Sequence, residues 1–192
     1  YQCDWSSDVC SSDLADDRLT CFSPETASGA RIAACHAAAN DANLPAATRA
    51  DALGISAAAL AADGRAADAL LDLDAALKLA PDDPRLRLAR GRLRMGAAAE
   101  DDFSAVIAKD PSNAEALLAR GEMRLRRRTT AEALADFRAA RRYAPTNPLP
   151  FRVLGKASLE QGKLLDAVAD LSEAVRLDPR RSEEHTSELQ SH

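Results

Sequence analysis

The chain has 192 residues, with 25 Lys and Arg against 30 Asp and Glu, a formal net charge of −5. That balance and the 4% aromatic content argue against a nucleic-acid binder, which needs a basic footprint with interleaved aromatics. No uncharged apolar run reaches the roughly 18 residues of a membrane-spanning helix, so no membrane span is expected.

The two ends read differently from the rest. Residues 1–14 and 181–192 are expected to be non-native, disordered tails. Asp4 to Leu14 reads DWSSDVCSSDL and Arg181 to His192 reads RSEEHTSELQSH. DNA encoding RSEEHT, read on its opposite strand one base on, encodes VCSSDL, the string Val9 to Leu14. Both ends resemble translated sequencing-library adapter, and such scars carry no fold information. On this reading the natural termini are missing, and the lack of a signal peptide says nothing. Residues 15–180 then hold 24 acidic and 24 basic side chains, enough chain to bury roughly two thirds of its unfolded surface.

In chain order, residues 15–45 form a polar lead-in and a capping helix, Ala30 to Ala39, with Ile32, Cys35 and Ala39 on one stripe. Asp41 to Leu44 reads as a turn, and Pro45 suits the first turn of the next helix. A first helical hairpin, about 46–83, follows, turning at Asp63-Gly64. Its leucines keep helical spacing within an alanine-rich run, and alanine is the best helix former. Asp83 is a predicted N-cap with Pro84 at the first helical position, opening a second hairpin over about 84–113. Ser112-x-x-Glu115 reads as a capping box for a third, about 114–147. Asn147-Pro148 repeats the cap-then-proline pattern for a fourth, about 148–180.

The ending of each hairpin recurs. Ala69 and Leu73 precede Pro81, Ala99 and Phe103 precede Pro111, Ala133 and Phe137 precede Pro145, and Ala167 and Leu171 precede Pro179. Pro111, Pro145 and Pro179 stand 34 residues apart, the period of a two-helix solenoid unit. Gly91, Gly121 and Gly155 sit on the first helices, where a missing side chain lets the second helix lie close. Proline ends each pair because its ring and missing N–H forbid helix continuation. Such hairpins cannot cover their apolar faces alone and must stack. From Pro81 to Pro111 is only 30 residues, so the second hairpin is expected to be clipped by about one turn.

These residues resemble the tetratricopeptide repeat. The resemblance implies an all-α fold, a right-handed superhelical solenoid of antiparallel helix pairs. It also implies a non-catalytic scaffold that takes a peptide or partner protein into the groove lined by the first helices. Carried over, the groove positions are Arg85, Leu88 and Arg92; Glu115, Leu118, Glu122 and Leu125; and Leu149, Arg152, Lys156 and Leu159. The family's chaperone-tail clamp needs Lys and Asn where this chain has Gly54 and Ala58, or Leu88 and Arg92, so that ligand is not expected. A second reading makes the chain the repeat segment of a larger enzyme or envelope transport assembly. Self-association through an exposed last hairpin is a third.

The lead-in also resembles bacterial extracytoplasmic repeat proteins with a cysteine ahead of an Ile-Ala-x-Cys helix, here Cys21 ahead of Ile32 to Cys35. That implies a Cys21–Cys35 disulfide and a periplasmic or secreted protein; two free thiols and a cytoplasmic location are the alternative. No catalytic, metal or cofactor site is expected. His36 adjoins Cys35 in sequence, but helix neighbours point about 100° apart, which suits a half-buried histidine better than a nucleophile pair. Asp72 and Asp74, Asp82 and Asp83, and Glu100 to Asp102 read as solvated acids. Arg124 to Arg128 reads as a solvated turn rather than a nucleic-acid patch.

Overall fold

The computed structural model describes residues 18–23 and 27–179. The two tails read as adapter lie outside the described residues. Among those residues no strand forms. After a helical stretch at 18–22 come nine helices: α1 (Ser28–Asn40), α2 (Ala46–Ala62), α3 (Ala66–Leu79), α4 (Pro84–Leu93), α5 (Ala97–Lys109), α6 (Ala114–Arg126), α7 (Thr130–Tyr143), α8 (Pro148–Glu160) and α9 (Leu164–Leu177). Two compact units meet between Asp102 and Phe103, inside α5.

The helix starts follow local chemistry. Asp83 caps α4 by accepting from the Arg85 N–H, and Asn147 caps α8 by accepting from the Leu149 N–H. Each is followed by proline, whose fixed φ suits the first helical position. The expected capping box at Ser112 does not form. Asn113 caps α6 by accepting from the Ala116 N–H at 2.9 Å, while the Ser112 hydroxyl donates to Asp110 at 2.5 Å. The Asp110 carboxylate, held below its ordinary pKa by Ser112, draws that hydroxyl away from the helix. Pro45 is the N-cap of α2 rather than part of its first turn.

The helix ends are equally specific. Three hairpin turns close with a left-handed residue, Gly64 (φ 77°), Gly162 (φ 73°) and Arg128 (φ 63°). In each, the next residue donates back into the last helical turn, as from Thr129 N–H to the Arg124 carbonyl at 3.0 Å. Among the described residues Arg128 is the one non-glycine at positive φ. Helix α4 has 10 residues where α6 has 13, and Gly96 turns the chain into α5 at φ 68°.

The first unit buries an alanine-rich core. Cys21, Ile32, Cys35, Leu53, Leu60 and Leu73 fill it, with Ala34, Ala50, Ala57, Ala69 and Ala76 between them. Small side chains let α2 approach α3 and α4; a β-carbon added to Gly54 would stand 2.9 Å from Leu86 Cδ2. In the second unit Ala133, Leu134, Phe137 and Leu154 form a core, with Leu118, Leu125, Leu149 and Val153 packed on it. Burying each large side chain there is worth about 2 kcal/mol. A β-carbon at Gly155 would meet Leu171 Cγ at 2.8 Å. Pro81, Pro111 and Pro145 are exposed, each two residues beyond the last residue of α3, α5 and α7.

Candidate functional site

Four second helices carry the same pentad, Ala-x-x-Asp followed by Leu or Phe, at 69–73, 99–103, 133–137 and 167–171. The alanine and the large residue face the hairpin interior one turn apart. The aspartate between them therefore turns toward the first helix rather than toward water. Asp102 is 2% exposed and Asp136 4%, which corrects the reading of Glu100 to Asp102 as wholly solvated. A buried carboxylate needs a paired cation.

Both carboxylates accept hydrogen bonds from two arginines, and Arg87 Nη1 stands a further 4.0 Å from Asp102 Oδ1. Arg120 grips Asp136 with Nε on Oδ2 at 3.0 Å and Nη2 on Oδ1 at 2.7 Å. Arg124 adds Nη1 on Oδ2 at 2.9 Å, so this arginine is part of a buried pair and not of a solvated turn. In the first unit Arg90 repeats the fork on Asp102, Nε at 2.9 Å and Nη2 at 2.5 Å, and Arg94 adds Nη1 at 3.3 Å. Both arginines also reach Asp74, at 2.7 and 2.9 Å. The hydrogen bond that it donates to Asp102 holds the Arg90 guanidinium above its ordinary pKa. The parallel, two-point geometry is the strong form of such a pair.

The outer hairpins depart from this pattern. Among the described residues no arginine donates to Asp72; His36 Nε2 lies 2.8 Å from its Oδ2, and Ser56 Oγ lies 3.0 Å from the same nitrogen. His36 is thus a half-buried strut between α1, α2 and α3. Asp170 accepts from Arg141 Nη1 at 2.8 Å. Beside it lies a cavity of about 330 Å³ whose wall includes Leu154, Ser158, Asp166 and Asp170. The signal for this set was in the sequence: the aspartate recurs in every pentad, and Arg90 and Arg120 each precede the packing glycine. A reading by hydropathy treats each member as a surface charge, because the partner lies on another helix.

The expected groove residues divide. Arg85 is exposed but tied to Asp83 at 2.7 Å and Asp51 at 2.8 Å. Arg92, Glu122, Lys156 and Leu159 are exposed, and Arg152 is half-buried. Leu118 and Leu125 pack partly against the Phe137 core. Leu88 is 5% exposed and lines no open surface. It and buried Leu86 point about 200° apart around α4, so that helix is covered on two sides. Of the packing set, Ala69, Leu73, Gly91, Ala99, Phe103, Gly121, Ala133, Phe137, Gly155 and Ala167 are buried, and Leu171 is half-buried. Cys21 and Cys35 form a disulfide. Exposed apolar side chains gather on the last pair: Leu159, Leu164, Leu165, Val168 and Val175. Among the described residues no cluster of His, Cys, Asp or Glu is arranged to hold a metal, and no helix is long and apolar enough to cross a membrane.

The comparisons agree with this geometry. Residues 85–148 match the family model of the tetratricopeptide repeat. A crystal structure of MamA is similar at 17% identity and a TM-score of 0.68, covering 81% of this chain and 91% of that one. A MamA RS-1 double mutant gives 17%, 0.72, 88% and 95%. MamA from Desulfovibrio magneticus RS-1, beginning at its residue 41, gives 17%, 0.71, 88% and 94%. At such identity the likeness is one of fold. No curated protein matches the chain in sequence. The described residues thus define a protein of paired α-helices built on a repeating unit. Over residues 85–148 the chain carries the sequence pattern of the tetratricopeptide repeat.

Proposed function

We propose that the chain is a non-catalytic scaffold that takes a peptide or partner protein against the first helices of its hairpins. In the second unit these are Leu118, Glu122 and Leu125 of α6 and Arg152, Lys156 and Leu159 of α8; in the first, Arg85 and Arg92 of α4. The observation that carries the reading is the division of labour on α8. Leu154 and Gly155 are spent on packing while Lys156 and Leu159 stay in solvent. Mixed apolar and cationic positions suit an extended or helical segment with acidic groups. The disulfide supports work in an oxidising compartment, periplasmic or secreted, since such bonds persist there and are rare in the cytosol.

The test is cross-linked capture from extract by the wild-type chain and by an Arg152→Glu, Lys156→Glu variant of unchanged helical content. Loss of specific captured species supports the groove. An identical capture profile removes it.

A second reading, self-association through α9, is favoured by Leu165 at 88% and Val168 at 64% exposure. Sedimentation of the wild type beside a Leu165→Glu, Val168→Glu variant separates the two readings. A monomer in both cases ends this second one.

A further inference from the structure

We infer that the cavity beside Asp170 is a binding site for a guanidinium group. The argument is a comparison of the chain with itself. In both complete clamps one buried carboxylate accepts hydrogen bonds from two guanidinium groups, Asp136 from Arg120 and Arg124 and Asp102 from Arg90 and Arg94. Asp170 stands 34 residues after Asp136, and the positions 34 residues after Arg120 and Arg124 are Leu154 and Ser158. Neither can donate as an arginine does. Among the described residues its carboxylate has one guanidinium partner, Arg141, on Oδ1. The volume beside it, about 330 Å³ with Leu154 and Ser158 in its wall, is open where two long side chains stand in the other hairpins.

The lining fits one arginine side chain. Asp170 is 18% exposed, so a charge-assisted bond to it is less screened by water than one at the surface. Leu134 and Leu154 offer apolar wall to the aliphatic stem. Asp166 supplies a second anion. Arg138 and Lys163 also line the cavity, which disfavours a polycationic guest and selects an arginine with neutral or acidic flanks. A planar fork matches a carboxylate better than an ammonium does. The site uses residues apart from the groove positions, so peptide capture there and guanidinium binding here stand or fall separately.

The same group reaches the cavity either on a polypeptide or as a free guanidino compound. Amide NMR titration of the full chain distinguishes them with three probes: N-acetylarginine methylamide, free L-arginine and N-acetylcitrulline methylamide, whose urea carries no charge. The expected result is saturable shifts confined to α7, α8 and α9 with an arginine probe, and at least about tenfold weaker binding of the citrulline probe. Asp170→Asn and Ser158→Arg, the latter restoring an arginine in cis, should each weaken binding by a similar factor. Tighter binding of the methylamide assigns the guest to a polypeptide; tighter binding of free arginine assigns it to a small molecule. The absence of saturable shifts, an equal response to citrulline, or undiminished binding in either variant overturns the site. If Asp170→Asn loses its fold, Ser158→Arg, at a half-buried position, decides alone.

Discussion

Gly121 lies against the ring of Phe137, so close that a β-carbon built on it would stand 3.0 Å from Cε2 and 3.2 Å from Cζ. Phe137 is wholly buried and has no room to swing aside. Gly121→Ala should therefore cost about 2 kcal/mol in overpacking, against a helix-propensity gain of about 1 kcal/mol, a net loss near 1 kcal/mol. Gly29 has nothing within 4 Å of its would-be β-carbon, and Gly29→Ala should be neutral or slightly stabilising. Urea midpoints of the two variants should move in opposite directions or, for Gly29, hardly at all.

The Asp136 clamp makes a sharper demand. Removing the carboxylate takes the buried counter-ion from Arg120 and Arg124, each 16% exposed at the side chain, while Arg124 keeps the longer 3.6 Å pairing with exposed Glu132. Asp136→Ala should cost about 3–5 kcal/mol, the usual result of breaking a buried pair from one side. Replacing all three with Arg120→Met, Arg124→Met and Asp136→Leu should be far milder, within about 1 kcal/mol of wild type, because no charge is then stranded. Chemical denaturation of the two variants measures the contrast directly. A triple variant as unstable as the single one would show that the clamp contributes more than charge balance.

The hairpins were legible in the sequence, and the clamps were not, for one physical reason. Alanine, glycine and proline at fixed spacing report on steric fit within one hairpin, and Gly121 against Phe137 is that fit. Asp83 and Asn147 announce their helix starts because a cap acts on its own backbone. A buried ion pair is split over two helices, and Arg120 and Asp136 each look like surface residues alone. What exposes them is the repeat itself: a carboxylate kept at the same register in 69–73, 99–103, 133–137 and 167–171. The capping box failed for a related reason, since Asp110 competes for the Ser112 hydroxyl from outside the four-residue motif.

Arg128 holds a backbone conformation that glycine holds at the corresponding turns, φ 63° against 77° at Gly64 and 73° at Gly162. A side chain in that region is disfavoured by about 1 kcal/mol, and the C′ position prefers glycine. Arg128 is exposed, so its side chain repays little of this in packing. Arg128→Gly should stabilise the chain by roughly 0.5–1 kcal/mol, seen as a higher urea midpoint with an unchanged slope.

The disulfide between Cys21 and Cys35 closes a loop with a sequence separation of 14. Such a loop restricts the unfolded chain by about 3 kcal/mol in the chain-entropy view. Both cysteines are buried against Ile32 and the first-unit core. Cys21→Ala with Cys35→Ala should lower stability by about that amount and loosen residues 18–23 first, as hydrogen exchange of those amides would report. Wild type under strong reductant should follow the double variant. Equal stability with and without reductant would leave the bond without a stabilising role.

Asp83 links the fold to pH. Its carboxylate is held below the ordinary value, first by the side-chain hydrogen bond from Arg85, against some desolvation, and further by the Arg85 backbone N–H that it caps. With the folded value below the unfolded one, the unfolded chain takes up the proton first as pH falls. The stabilisation is therefore complete above the ordinary carboxylate range, about pH 4, and is lost as pH drops through the folded value. Asn caps a helix about as well as Asp, so Asp83→Asn keeps the cap and removes only the charge. Arg85 is 73% exposed at the side chain, and water screens the pair to less than about 1 kcal/mol. Asp83→Asn should thus be slightly less stable than wild type at pH 7, and the gap should narrow as pH falls below about 4, the ordinary carboxylate range. A gap that stays constant across that range would mean that the Arg85 pair contributes nothing and the cap alone matters.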